Sequence, residues 1–320
     1  MLGIYFLLFS FVTVFLSIKI SYYADILSSK YNVSKGLVGG LLLAGVTSLP
    51  EFITCFSSLQ LNNPSLIIGD ILGSNLFNIV MISFFDILFV KRFIFINRKT
   101  HHTYIYLCLL IIYIIIILSY FNIISFSGLL IFLIYIFYIF KTKDDVNNKK
   151  KIGGYKSVLI KLLITSFFLV ISSVLLTIVV NKISITYNSF SSSLIGAVLL
   201  GITTSLPEVI TLLTLINVGN YDLAFSNILG SNMFNFLVLV VGDLLLNGIC
   251  IFDIMDNKAY VLAFLGLIIT FISMILNFRK KSYTKFTYIL FSVLILITYF
   301  IFWLFNFIYW FSYLFVIEYH

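Results

Sequence analysis

Long apolar runs separated by short polar stretches occupy the chain from end to end. They fall at about 2–20, 36–60, 65–90, 103–121, 124–140, 157–180, 193–217, 222–247, 259–277 and 285–305. Most approach the roughly 20 residues that an α-helix needs to cross a hydrocarbon core about 30 Å thick. Lipid offers backbone N–H and C=O groups no partners, so each run is expected to satisfy its own as a helix. The pattern predicts an all-α polytopic membrane protein with ten transmembrane helices. The apolar tail from Asn306 to Glu318 can extend the last helix or lie at the interface, and the pattern does not choose. Lys141 to Lys156, rich in Lys, Asp and Asn around Gly153-Gly154, is the one strongly polar linker. It separates a first half, 1–140, from a second, 157–320, each with five spans.

Basic residues orient the spans, because Lys and Arg are retained in cytoplasmic loops. Lys30 and Lys35, then Lys91, Arg92, Arg98 and Lys99, then the 141–156 linker, then Arg279, Lys280, Lys281 and Lys285 all follow odd-numbered spans. Lys182 and Lys258 fall on the other side. Both termini are therefore expected outside the cytoplasm, in the cell membrane. Five spans per half make the second half run through the bilayer in the opposite sense, the inverted repeat of many secondary transporters.

Composition agrees and excludes other classes. A hydrophobic fraction of 61% with 10% charged residues rules out a water-soluble surface. The net charge of +8 acts as a topology signal, since no soluble basic domain exists to bind nucleic acid. Leu2 to Ile20 lacks a basic start and a small-residue cleavage site, so it is expected to stay as a helix. Cys55, Cys108 and Cys250 are odd in number and apolar in setting, which suggests packing thiols. His101, His102 and His320 are expected at solvent-exposed positions.

One stretch is written twice. Thr47-Ser48-Leu49-Pro50-Glu51 and Gly73-Ser74-Asn75-Leu76-Phe77-Asn78 recur, without a gap, as Thr204-Ser205-Leu206-Pro207-Glu208 and Gly230-Ser231-Asn232-Met233-Phe234-Asn235. Each copy sets a glutamate inside an apolar run, where a charge costs roughly 2.5 to 3.5 kcal/mol on insertion scales. Thr47 and Ser48, like Thr204 and Ser205, share a helical face with the glutamate that follows. Ser74 with Asn78 and Ser231 with Asn235 repeat at i to i+4 on the next span. Pro50 and Pro207 lack an N–H, which is expected to release the carbonyls of Val46 and Thr203. Freed backbone oxygen at membrane depth is tolerated where it lines a cavity. Gly73 and Gly230 allow close helix approach.

These donors are all oxygens, a set that suits Ca²⁺ or Na⁺ over zinc or copper. Calcium accepts six to eight oxygens in forgiving geometry, whereas magnesium demands a near-ideal octahedron. Two carboxylates balance one divalent or two monovalent cations, and an empty charged site should cross the membrane poorly, which favours obligatory exchange. Asp70, with Asn227 as its counterpart, reads equally well as an acid near the site or as a paired or interfacial residue. Asp86 and Asp243 are expected to cap helix ends or snorkel to water. Cys55, one turn after Glu51, has Leu212 as its counterpart in the other copy and is read as packing.

The doubled Thr-Ser-Leu-Pro-Glu and Gly-Ser-Asn-x-x-Asn elements resemble the α-repeats of the cation/calcium exchanger superfamily, in particular prokaryotic sodium/calcium exchangers. The resemblance implies an antiporter, not an enzyme, with Glu51 and Glu208 as principal ligands. Thr47, Ser48, Ser74, Thr204, Ser205 and Ser231 would add oxygens, as would the carbonyls of Ala44 and Gly201, and Asn78 and Asn235 would complete the site. On backbone ligands this differs from the proline argument, which points to Val46 and Thr203. Many relatives have Gly where Val46 and Thr203 stand, and several carry Asp at the position of Asn235, which leaves two central carboxylates here. The implied substrates are Ca²⁺ and Na⁺, moved by a two-helix bundle working against the repeat core, with no tightly bound cofactor and no obligatory protein partner. No cytoplasmic region carries acidic calcium-sensing clusters. Ca²⁺/H⁺ exchange on the same scaffold, a cation channel and an intramembrane hydrolase stay open as alternatives.

Overall fold

The computed structural model describes residues 2–31, 34–60, 64–97, 102–144, 155–186, 201–246, 250–278, 288–302 and 304. Outside them lie most of the polar linker (145–154), the stretch 187–200 that opens the seventh span, Arg98, Lys99, His101, Arg279, Lys280, Lys281, Lys285, and the tail with His320. Among the described residues seven helices are long and apolar enough to span a membrane, and three shorter apolar ones accompany them. One falls on each expected run.

Helix α1 is Leu2–Ser29, α2 the broken segment Gly36–Gln60, α3 Pro64–Leu88, α4 Thr103–Tyr120 and α5 Ser127–Asp144. In the second half α6 is Lys156–Thr186, α7 combines Gly201–Thr204 with Leu206–Val218, α8 is Tyr221–Leu245, α9 Asn257–Leu276 and α10 Tyr288–Phe302. The fold is all-α and membrane-spanning, with the second half inverted relative to the first.

In α1 the usual inside-out rule of soluble helices is reversed. Ile4, Leu7, Phe11 and Phe15 are exposed, while Thr13, Ser17, Ser21, Ala24 and Ser28 are buried at helical spacing. Lipid tails are as apolar as leucine, so helices meet through small and hydroxylated residues that allow close contact. This stripe explains why α1 runs to Ser29, well past the predicted end at residue 20. The helix packs chiefly along α6, where the Thr13 and Ser172 hydroxyls hydrogen-bond at 3.1 Å.

At the centre α3 and α8 are buried over most of their length. Helix α2 begins with a π-helical stretch, Gly36–Leu43, that lies against α8. The approach depends on glycine: a Cβ on Gly230 would sit 2.4 Å from the Gly40 carbonyl oxygen. Tyr138 of α5 donates to that same oxygen at 2.5 Å.

Helix α7 closes on Gly219 in the left-handed region, φ 84°. Gly219 N–H bonds Ile216 O and Asn220 N–H bonds Leu215 O, the paired ending that such a glycine permits. Several contacts converge at this end of the molecule. Lys35 pairs with Asp222 at 3.2 Å, Asn220 donates to Asp25 at 2.6 Å, and Arg92 donates to Ile216 O at 2.9 Å.

Two readings require correction. His102 is buried, at 5% exposure, not solvent-exposed. Asp86 neither caps nor snorkels: it is fully buried and accepts hydrogen bonds from Tyr288 at 2.5 Å and Ser292 at 2.6 Å. It thereby fastens α10 to α3. Asp243, half-buried near the end of α8, takes the Ile251 N–H of the following turn at 2.7 Å. Hydrogen bonds to charged groups contribute about 1.5–3 kcal/mol, so Ser292→Ala should lower unfolding stability by about that amount in detergent. A thermal melt checks this, with exposed Thr298→Ala as the neutral control.

Candidate cation site

The repeated motifs break their helices. Ser48 (φ −92°, ψ 10°) interrupts α2, and Ser205 (φ −78°, ψ 1°) interrupts α7 at the matching place. Each break stands two residues before the proline, whose missing N–H and whose constraint on the preceding residue disfavour a continuous helix. Glu51 and Glu208 open the helical segment that follows, where N–H groups are least engaged and a negative charge is favoured. Hydrogen bonds at the breaks run to the carbonyls of Ala44 and Gly201. Ala44 O receives Ser48 N–H at 3.0 Å and Thr47 Oγ1 at 3.3 Å. Gly201 O receives Ser205 N–H at 3.3 Å and, from the other half, Ser74 Oγ at 3.2 Å. The Ser48 N–H is directed toward the Val46 carbonyl as well, but its bond runs to Ala44 O.

Both glutamates are fully buried and close enough for their charges to interact directly. They face hydroxyls contributed by both halves. Ser48 Oγ donates to Glu208 Oε1 at 2.9 Å, with Thr47 beside the same carboxylate. Ser74 and Thr204 flank Glu51 and bond to each other at 3.2 Å. In the mirror position Thr47 and Ser231 share a bond at 3.3 Å. One contact breaks the symmetry: Ser205 Oγ makes no bond to Glu51, and both Glu51 oxygens lack a hydrogen-bond partner. Glu208 Oε2, Asn78 Oδ1 and Asn235 Oδ1 are likewise buried without one.

Uncompensated acceptors of this kind, buried in protein, are costly. Among the described residues no Lys, Arg or His pairs with either glutamate; the ion pair found, Lys35–Asp222, lies at the helix ends. Nor do three His, Cys, Asp or Glu side chains converge as a metal cluster there. Two carboxylates with hydroxyl, amide and carbonyl oxygens form a set chemically suited to hard cations.

Comparison with known proteins places this arrangement. The family model for sodium/calcium exchanger proteins matches residues 1–142 and 157–308. The chain belongs to the sodium/calcium exchanger family. Solved structures of the sodium-calcium exchanger NCX_Mj share its fold. One, soaked with 2.5 mM Na⁺ and 10 mM Sr²⁺, gives a TM-score of 0.69 at 20% identity over 94% of this chain and 98% of that one. Another, soaked with zero Na⁺ and Ca²⁺, gives 0.65 at 21% identity over 94% and 97%. A search of curated protein sequences finds no match.

Within this exchanger the two motifs bring Thr47, Ser48, Glu51, Ser74, Thr204, Glu208 and Ser231 into one bonded or electrostatically linked set, which Gly201 joins through its carbonyl. Ala44 holds only hydroxyl and amide groups of its own helix, and the Ser205 hydroxyl stands free nearby. Asp70 is resolved by geometry: it is 1% exposed, accepts from Thr204 Oγ1 at 3.2 Å and interacts electrostatically with Glu51. A third buried acid therefore adjoins Glu51. Its counterpart Asn227 is buried with both amide atoms unpartnered. Cys55 packs against Val238 and Gly242 and takes no part.

Proposed function

We propose that the chain is a secondary-active antiporter exchanging Na⁺ for Ca²⁺, with both ions held between Glu51 and Glu208. The observation that carries this reading is the buried, electrostatically coupled glutamate pair, whose free oxygens face hydroxyls from both halves. Such a pair is stable when cations neutralise it, so only loaded forms should cross between the two faces. Glu51, Glu208, Thr47, Ser48, Thr204, Ser205, Ser74, Ser231, Asn78, Asn235 and the carbonyls of Ala44 and Gly201 are the proposed ligands.

Helices α1 and α6, which pack chiefly on each other, form the pair that slides against the core of α2, α3, α7 and α8 to expose the site alternately. Their contact through small hydroxylated residues, with apolar faces turned outward, favours sliding over interdigitated locking. The two halves act as repeats joined by the 141–156 linker. The end carrying Lys35, Arg92 and Asp222 faces the cytoplasm, with both termini outside the cell membrane. NCX_Mj is described as undergoing extracellular ion exchange and induced binding-site occlusion, a behaviour this site would share.

Liposomes loaded with Na⁺ should accumulate radioactive Ca²⁺ only while the sodium gradient lasts. Accumulation driven by a pH gradient in sodium-free medium would mark a Ca²⁺/H⁺ exchanger. Flux without any opposing gradient would mark a channel.

A further inference from the structure

Four asparagines lie where α3 and α8 cross. Asn75, Asn78, Asn232 and Asn235 are all at most 1% exposed, and their hydrogen bonds repeat under exchange of the halves. Asn232 Nδ2 donates to the backbone carbonyl of Asn75 at 3.0 Å, and Asn75 Nδ2 donates to that of Asn232 at 3.2 Å. Asn78 Nδ2 then donates to Asn232 Oδ1 at 2.9 Å, and Asn235 Nδ2 to Asn75 Oδ1 at 3.0 Å. The Tyr113 hydroxyl stands beside Asn75 without bonding to it.

The two ends of an asparagine amide have opposite roles, one accepting and one donating, so its orientation must follow from its partners. Here the backbone decides. A carbonyl can only accept, so Asn232 must turn its NH₂ to Asn75 O and therefore its Oδ1 to Asn78. Asn78 must answer with its NH₂, which leaves its own Oδ1 unbonded; the same chain of constraints runs from Asn232 O through Asn75 to Asn235. A flipped Asn78 or Asn235 would aim two N–H groups where the oxygen now points and repel a cation.

We infer that Asn75 and Asn232 are positioning residues that fix, crosswise, the acceptor ends of Asn235 and Asn78 toward the cation. This inference rests on the exchange reading above, with Asn78 and Asn235 as ligands. Neither Asn75 nor Asn232 need touch the ion. Each reads a backbone carbonyl of the opposite half and passes its polarity to the ligand of that same opposite half.

The test is a double-mutant cycle read by equilibrium binding of radioactive Ca²⁺ to the purified full chain in detergent. Residues that orient a metal ligand typically change affinity by about 10- to 100-fold, so Asn232→Ser should weaken Ca²⁺ binding roughly tenfold or more. In an Asn78→Ala background the same substitution should cost almost nothing further, while in an Asn235→Ala background it should keep its full cost. Asn75→Ser should show the opposite dependence, coupling to Asn235 and not to Asn78. This provides a second, independent cycle should either serine variant fold poorly. Additive costs in both backgrounds, or no loss of affinity from either serine, would overturn the inference and reduce the asparagines to a packing brace. Failure of the unaltered protein to bind Ca²⁺ at all would overturn the exchange reading and this inference with it.

Discussion

Glu51→Gln should abolish Na⁺-driven Ca²⁺ accumulation while leaving the protein at least as stable in cation-free buffer. The two effects share one cause. Both Glu51 oxygens are buried and unpartnered, and an uncompensated buried charge is a liability that a neutral amide removes. With a cation bound the sign reverses, because the carboxylate gains its counter-charge. Removing one member of a buried charge pair costs about 3–5 kcal/mol, which is roughly a hundredfold to several thousandfold in affinity. The unaltered protein should also melt higher when Ca²⁺ is added, by about 2.7 kcal/mol of stabilisation at a hundred times the dissociation constant. Glu51→Gln should lose that shift. Glu208→Gln should lose transport equally, but it gains less stability without ions, since Glu208 already accepts a hydrogen bond from Ser48. Paired transport and melting measurements with and without Ca²⁺ check both statements.

Gly230→Ala should prevent α2 and α8 from meeting. The added carbon would stand 2.4, 2.6 and 2.9 Å from the O, Cα and C atoms of Gly40, backbone that no rotamer change can move. Overpacking a tight interior typically costs about 1–3 kcal/mol, and a clash against backbone belongs at or above that upper end. The π-helical stretch Gly36–Leu43 would have to shift, together with the Tyr138 hydrogen bond to Gly40 O. Folded yield should fall steeply, and any folded fraction should transport poorly because Ser231, the next residue, bonds Thr47 across the site. Gly45→Ala, whose nearest neighbour would be Phe234 at 3.9 Å, should behave like the unaltered protein. Size-exclusion profiles in detergent distinguish the two substitutions.

Much of this was legible from sequence, for a definite reason. A membrane helix must satisfy its backbone internally, so apolar length alone marks it, and eight of the ten runs coincide with helices to within four residues at both ends or lie partly beyond the described residues. The exceptions are α6, which runs on to Thr186, and α1, which runs on to Ser29 because its inner face is built of serine, threonine and alanine, which lower the hydropathy without ending the helix. The duplicated motif exposed the glutamates and hydroxyls because two copies of a costly charge are hard to explain otherwise.

What stayed hidden depended on partners far apart in the chain. Ser48 meets Glu208 and Ser74 meets Gly201, whereas spacing within one motif speaks only of one helix. Asn75 and Asn232 stood inside the repeated motif, yet nothing local shows that each reads the backbone of the other. Asp86 looked like a helix-end acid until Tyr288 and Ser292 closed over it. Asp70 could be placed only once Thr204 was seen to reach it from the opposite half.

The central claim is that Ca²⁺ and Na⁺ take turns between Glu51 and Glu208. Equilibrium binding of radioactive Ca²⁺ to the purified protein across a series of Na⁺ concentrations tests it most directly. Bound Ca²⁺ should fall to zero as Na⁺ rises, with the apparent dissociation constant climbing and the number of sites unchanged, and a Glu51→Gln, Glu208→Gln double variant should bind none. Ca²⁺ that remains bound at saturating Na⁺, or that the double variant still holds, would contradict the account.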